Sequence, residues 1–152
     1  MPVKKLKEFL DGHDVKYVSI SHSPAYSAQT IAESAHIPGK ELAKTVIVKI
    51  DDKFAMVILP ASYRVHLGHL KVEVSASHVE LATETEVENL FPDYERGAMP
   101  PFGNLYGMDV YVAEQLTEDE EIAFSAGSRT ELIRVSYKDF DRLVMPKVTA
   151  LT

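Results

Sequence analysis

Val3, Leu6, Phe9 and Leu10 recur at the spacing of one helix face, so residues 2–12 predict an amphipathic helix that Gly12 helps to end. The β-branched and aromatic residues between positions 15 and 21 predict a strand, and Ser27 supplies an N-cap for a helix through position 35 that Pro38-Gly39 stops. His22-Ser23-Pro24-Ala25 is then the loop between strand and helix. Two runs, Thr45-Val46-Ile47-Val48-Lys49-Ile50 and Phe54-Ala55-Met56-Val57-Ile58-Leu59, flank Asp51-Asp52-Lys53 as a β-hairpin. Their apolarity is nearly continuous rather than alternating, which predicts a sheet covered on both faces and a place at the centre of the core.

Further along, positions 64–70 read as helical and 79–82 as a short strand. Thr83 and Glu86 have capping-box spacing ahead of Val87, Leu90 and Phe91, and Pro92 ends that pattern. Short strands follow at 110–112, 122–125 and 132–135, and Ser136 with Asp139 caps a last helix presenting Phe140, Leu143 and Val144. Helices and strands mix without regular βαβ alternation, so the expected class is mixed α/β (α+β), a sheet flanked by helices. The chain has 152 residues and 45% apolar content, which suits a single domain over 1–152 with one proper core.

Composition removes several chemistries. There is no cysteine, hence no disulfide, thiolate metal site or cysteine nucleophile. His66 and His69 would share a helix face, but without a His-Glu-x-x-His arrangement they read as surface histidines, and neither metal nor cofactor is expected. Phosphate-loop, dinucleotide and Gly-x-Ser-x-Gly fingerprints are missing; Ser125-Ala126-Gly127-Ser128 only partly imitates the last. The N-terminal residues lack the apolar core of a secretory signal, and no apolar run approaches a membrane span, so a soluble cytoplasmic protein is expected. A net charge of −7 disfavours broad attraction to nucleic acid or anionic membranes, with the acidic clusters at 80–95 and 118–121 read as solvated faces.

Two features stand out as candidate chemistry. Gly97-Ala98-Met99-Pro100-Pro101-Phe102-Gly103 specifies a rigid bend, because proline fixes φ and glycine admits both unusual backbone angles and close approach of a ligand. Lys44, at the mouth of the most apolar hairpin, is a cation on a rigid strand end, suited to a phosphate or a developing oxyanion. Lys44-Thr45 opening an apolar strand, Gly97-x-x-x-Pro101-x-Gly103 about fifty residues later, and Ser125-Ala126-Gly127-Ser128-Arg129 after a further strand together resemble the YbaK/prolyl-tRNA synthetase editing-domain family. The resemblance runs from His22-Ser23-Pro24-Ala25 to the start of the last helix.

That resemblance implies a curved mixed sheet surrounded by helices and a freestanding aminoacyl-tRNA deacylase that hydrolyses the ester of a mischarged tRNA. It implies catalytic roles for Lys44 and for the backbone of Gly97, and substrate-binding roles for His22, Thr45, Pro101, Gly103, Ser125, Gly127 and Arg129. Ala98 and Pro100 depart from the glycine or serine of many relatives, and Ile20 from an aromatic residue in some, which leaves the amino acid open. The implied partners are the acceptor end of an aminoacylated tRNA and a synthetase, with no membrane and no DNA. Lys44, Lys49, Arg96 and Arg129 are expected to form a local basic rim. A binding module that senses an amino acid or charged tRNA without hydrolysis is the alternative reading.

Overall fold

The computed structural model describes residues 2–21, 41–95, 97–128 and 130–151. The predicted helix over 27–35, the loop holding His22, and Arg96 and Arg129 lie outside them. In chain order the elements are α1 (Pro2–Gly12), β1 (Tyr17–Ser21), β2 (Ala43–Ile50), β3 (Lys53–Pro60), α2 (Leu67–Glu73), β4 (Val79–Leu81), α3 (Glu84–Leu90), β5 (Asp109–Ala113), β6 (Glu121–Ser125), β7 (Glu131–Ser136), α4 (Tyr137–Val144) and β8 (Lys147–Thr149), with 3₁₀ turns at Gly103–Tyr106 and Glu114–Glu118.

The strands form two sheets, β1-β7-β6 and β4-β2-β3-β5-β8. In the larger sheet β2 runs antiparallel to β3 and β4, while β5 runs parallel to β3 and to β8, so the sheet is mixed. A parallel bridge between Leu42 and Ala123 joins the two sheets. The Ala123 amide donates to the Glu41 carbonyl at 2.9 Å, and the Arg134 guanidinium holds the Glu41 carboxylate at 2.8 Å. The chain entering β2 is thus fixed to the smaller sheet just before Lys44.

Side-chain alternation along β2 and β3 explains their continuous apolarity. Ile47, Met56 and Ile58 face the main core with Leu6, Leu10, Phe102, Phe124 and Phe140. Val48, Ala55, Val57 and Leu59 face a second core with Leu70, Tyr111 and Leu151. The hairpin turns on Asp51 and Asp52, both at positive φ (48° and 69°), a geometry that aspartate tolerates and that matches strand twist. The Asp51 carboxylate also accepts from the amides of Ser77 and His78 at 3.0 and 2.8 Å.

Both predicted caps form: Thr83 and Glu86 exchange hydrogen bonds of 2.9 and 3.1 Å, and Ser136 Oγ accepts from the Asp139 amide at 3.1 Å. The helix expected over 64–70 starts only at Leu67, because His66 is its extended N-cap and its Nδ1 accepts from the His69 amide at 3.1 Å. Those two rings stack at 3.9 Å instead of lying side by side on one face. Among the described residues, no group of three or more histidines and carboxylates could hold a metal ion. The short β8 exists through its pairing with β5 and has no periodicity of its own to announce it.

Gly103 is the packing glycine of the proline loop. A Cβ there would meet Val110 Cγ2 at 2.7 Å and the Met108 carbonyl at 3.1 Å. Gly103→Ala is therefore expected to destabilise the fold by about 1–3 kcal/mol, as overpacking does, lowering the urea midpoint at unchanged m value. An unchanged midpoint would show that Val110 yields without strain.

Candidate functional site

Pro92 stops α3, and the chain then makes a tight turn in which the Ala98 amide donates to the Glu95 carbonyl at 3.0 Å. This turn is clasped to the loop after β6: Glu95 N–H donates to the Gly127 carbonyl at 3.0 Å, and Gly127 N–H to the Ala98 carbonyl at 2.8 Å. Gly97 and Gly127 take φ of +76° and +100°, angles costly for any residue with a Cβ. Ala98, Met99, Pro100, Pro101 and Phe102 are buried behind the turn, while Gly97 is exposed. Among the described residues, the Gly97 amide has no hydrogen-bond partner. Among the described residues, the loop thus has a rigid apolar back and an open backbone donor, Gly97, at its exposed turn.

Register fixes the face that Lys44 takes. It stands opposite Leu59 in the β2–β3 ladder and shares that residue's face with Val46, whereas Thr45, opposite Ile58, is buried on the main-core face. From the parallel bridge between Leu42 and Ala123, two residues along each chain lead to Lys44 and to Ser125, and two more along the second lead to Gly127. β6 therefore carries both the anchor of Lys44 and the loop that clasps Gly97.

Burial, and next the positive charge of Arg64, hold the half-buried Lys44 amine below its usual pKa. Arg64 follows the turn that closes β3, where Ala61 N–H donates to the Leu42 carbonyl at 2.8 Å and Tyr63 N–H to the Pro60 carbonyl at 2.9 Å. Neither cation has a carboxylate partner among the described residues. Two like charges without a carboxylate partner among the described residues, one of them desolvated, make this end of β2 a candidate place for an anion. Arg64 was not legible as a site residue, since it carries no motif and joins Lys44 only through the turn after β3.

Lys49 does not belong to a basic rim. Its ammonium lies 2.9 Å from Glu86 and 3.6 Å from Glu80, because β2–β4 pairing sets Glu80 directly opposite it. Ser125 is half-buried at the end of β6, and Ser128 Oγ lies 3.2 Å from Thr130 Oγ1. The structure therefore brings Glu95, Ala98 and Gly127 into direct contact with Gly97 at the turn between the first two, sets Lys44 and Ser125 at equal steps beyond one bridge, and turns Thr45 and Gly103 into the core.

The same architecture occurs in solved structures at 20% identity. One, of a hypothetical protein, has a TM-score of 0.86 over 97% of this chain and 98% of its own. Another, described as a candidate trans-editing enzyme for prolyl tRNA synthetase, has a TM-score of 0.84 over 99% and 96%. The fold is thus a mixed α/β editing-domain fold. Residues 22–143 match the aminoacyl-tRNA editing domain, and the chain belongs to that family. It is 26% identical to the proline–tRNA ligase of Macrococcus caseolyticus over 106 residues, which is 69% of this chain and 18% of the ligase. It is 36% identical to that of Staphylococcus epidermidis over 75 residues, 49% of this chain and 13% of the ligase. The chain thus spans less than a fifth of the length of these ligases.

Proposed function

We propose that this protein is a trans-editing aminoacyl-tRNA deacylase, which hydrolyses the ester between a wrongly attached amino acid and the terminal ribose of tRNA. The observation that carries the reading is the open Gly97 amide, held at positive φ in a loop clasped to Gly127. Water attacks the ester carbonyl, its oxygen takes up negative charge, and the C–O bond to the ribose breaks as the ribose oxygen gains a proton. A fixed amide aimed at that oxygen stabilises the transition state without reorganisation. Lys44, with Arg64 beside it, anchors the terminal phosphate or orients the ester. No protein nucleophile is needed, and a neighbouring ribose hydroxyl is placed to assist the attack.

The net charge of −7 limits sequence-independent attraction to tRNA, so binding is weak and salt-sensitive, and a synthetase partner serves to raise the effective concentration. The test is a panel of aminoacylated tRNAs in which ester loss and binding are both measured. Binding without ester loss across the panel would establish the sensing module instead.

The pH profile is a second check. Lys44 acts as a cation, and its lowered pKa means that this charge is lost on raising pH before a free lysine would lose it at 10.5. After subtraction of spontaneous hydrolysis, kcat/KM is expected to fall with an apparent pKa below 10.5. Lys44→Arg should move that limb upward, because guanidinium stays charged. A limb that does not move would assign it to another group.

A further inference from the structure

Tyr94 and Tyr106 bracket the proline-glycine loop in sequence, and their hydroxyls are hydrogen-bonded to each other. The rings meet edge to face, with centroids 6.1 Å apart and planes at 79°. Phe91 supports both from behind at 5.4 and 5.0 Å, while the two tyrosines are themselves only half-buried. Lys5 of α1, an exposed residue, holds its ammonium 4.5 Å from the centroid of Tyr106. Among the described residues it has no carboxylate partner, unlike Lys4 and Lys7, which pair with Glu8 and Glu131.

We propose that Tyr94, Tyr106 and Lys5 form a seat for a single-stranded nucleotide of the tRNA acceptor end, lying just before the aminoacylated residue. This rests on the deacylase reading above and adds to it the group that holds the strand. A base stacks on the tyrosine rings, and Lys5 leaves the Tyr106 face to meet the adjoining phosphate. That exchange is favourable, since an exposed cation–π contact is weaker than a base–aromatic stack.

Three further observations support the seat. Tyr94 lies three residues from Gly97, at most about 11 Å of extended chain, so a base on the tyrosines and an ester at Gly97 belong to neighbouring parts of one strand. The chain carries net negative charge, so phosphate attraction alone is a poor source of affinity, whereas stacking does not depend on net charge. Every base has a π-face, so such a seat accepts an acceptor end whatever its sequence.

The experiment compares an aminoacylated tRNA with the same amino acid esterified to adenosine alone, which has no preceding nucleotide. For Tyr106→Leu, the ratio of kcat/KM for tRNA to that for aminoacyl-adenosine should fall about 5- to 150-fold, the loss of one stacked base. Tyr106→Phe, which keeps the ring, should restore most of the ratio. An equal loss on both substrates would reduce the tyrosine pair to a clasp on the loop and overturn the seat, and so would an unchanged ratio.

A parallel titration separates this from failure of the deacylase reading. Single-stranded RNA ending in CCA, with 2-aminopurine at the position before the last, should be quenched on binding by the wild-type protein and not by Tyr106→Leu. If the wild type hydrolyses no ester, the deacylase reading falls while this quench still decides the seat. Equal quenching by both proteins, or none by the wild type, overturns the seat.

Discussion

Lys44→Ala is expected to lower kcat/KM on a susceptible aminoacyl-tRNA by about 10²–10³, the usual loss for one preorganised transition-state contact, with the fold retained. The fold is retained because the charge is held against its own preference: burial and then Arg64 both disfavour it. With the folded pKa depressed below the unfolded value, the unfolded chain binds more protons between the two, so the stability contribution rises with pH there. Below that window the charged amine lowers stability. Lys44→Ala should therefore unfold cooperatively, with a urea midpoint near neutral pH no lower than wild type and with the alkaline gain removed. Retained turnover across a full panel of mischarged tRNAs would reject Lys44 as a catalytic residue.

Gly97→Val is the second large effect. A β-branched residue at φ +76° is strained by about 1–3 kcal/mol, although a Cβ there meets nothing within 4 Å among the described residues. The chain either keeps the strain or turns to negative φ, and turning re-aims the amide and pulls on the paired bonds to Gly127. We expect kcat to fall by about 10²–10³ with a much smaller loss of urea stability. Gly97→Asn should keep more activity than valine, because asparagine tolerates the left-handed region. Wild-type kinetics in the valine variant would make the loop only a turn.

These two expectations differ in how far the chain announced them. The glycine and prolines of the loop were visible because their backbone limits are properties of single residues. The clasp between residues 95–98 and Gly127 was not, since a hydrogen bond between two irregular segments leaves no periodicity. Lys44 was legible as a strand-end cation, but Arg64 was not, because only the turn after β3 brings it near. Lys49 looked equally available in sequence and is taken by Glu80 and Glu86. The Thr83–Glu86 capping box, the Ser136 N-cap and the hairpin are local and legible, whereas β8 depends on pairing with the distant β5, and His66 caps α2 although histidine is not a usual capping residue.

The sequence by itself determined the mixed class, the central hairpin, the helix caps and the rigid proline-glycine bend, all of which follow from steric and solvation preferences acting over a few residues. Only the tertiary structure decided which of these meet. The bridge between Leu42 and Ala123 joins two sheets, fixes the approach of Lys44, and leads along β6 to the loop that holds Gly97. Pairing of that kind is selected by burial of both sheet faces and by satisfaction of backbone groups across long sequence separations, for which no short stretch of residues carries a signal.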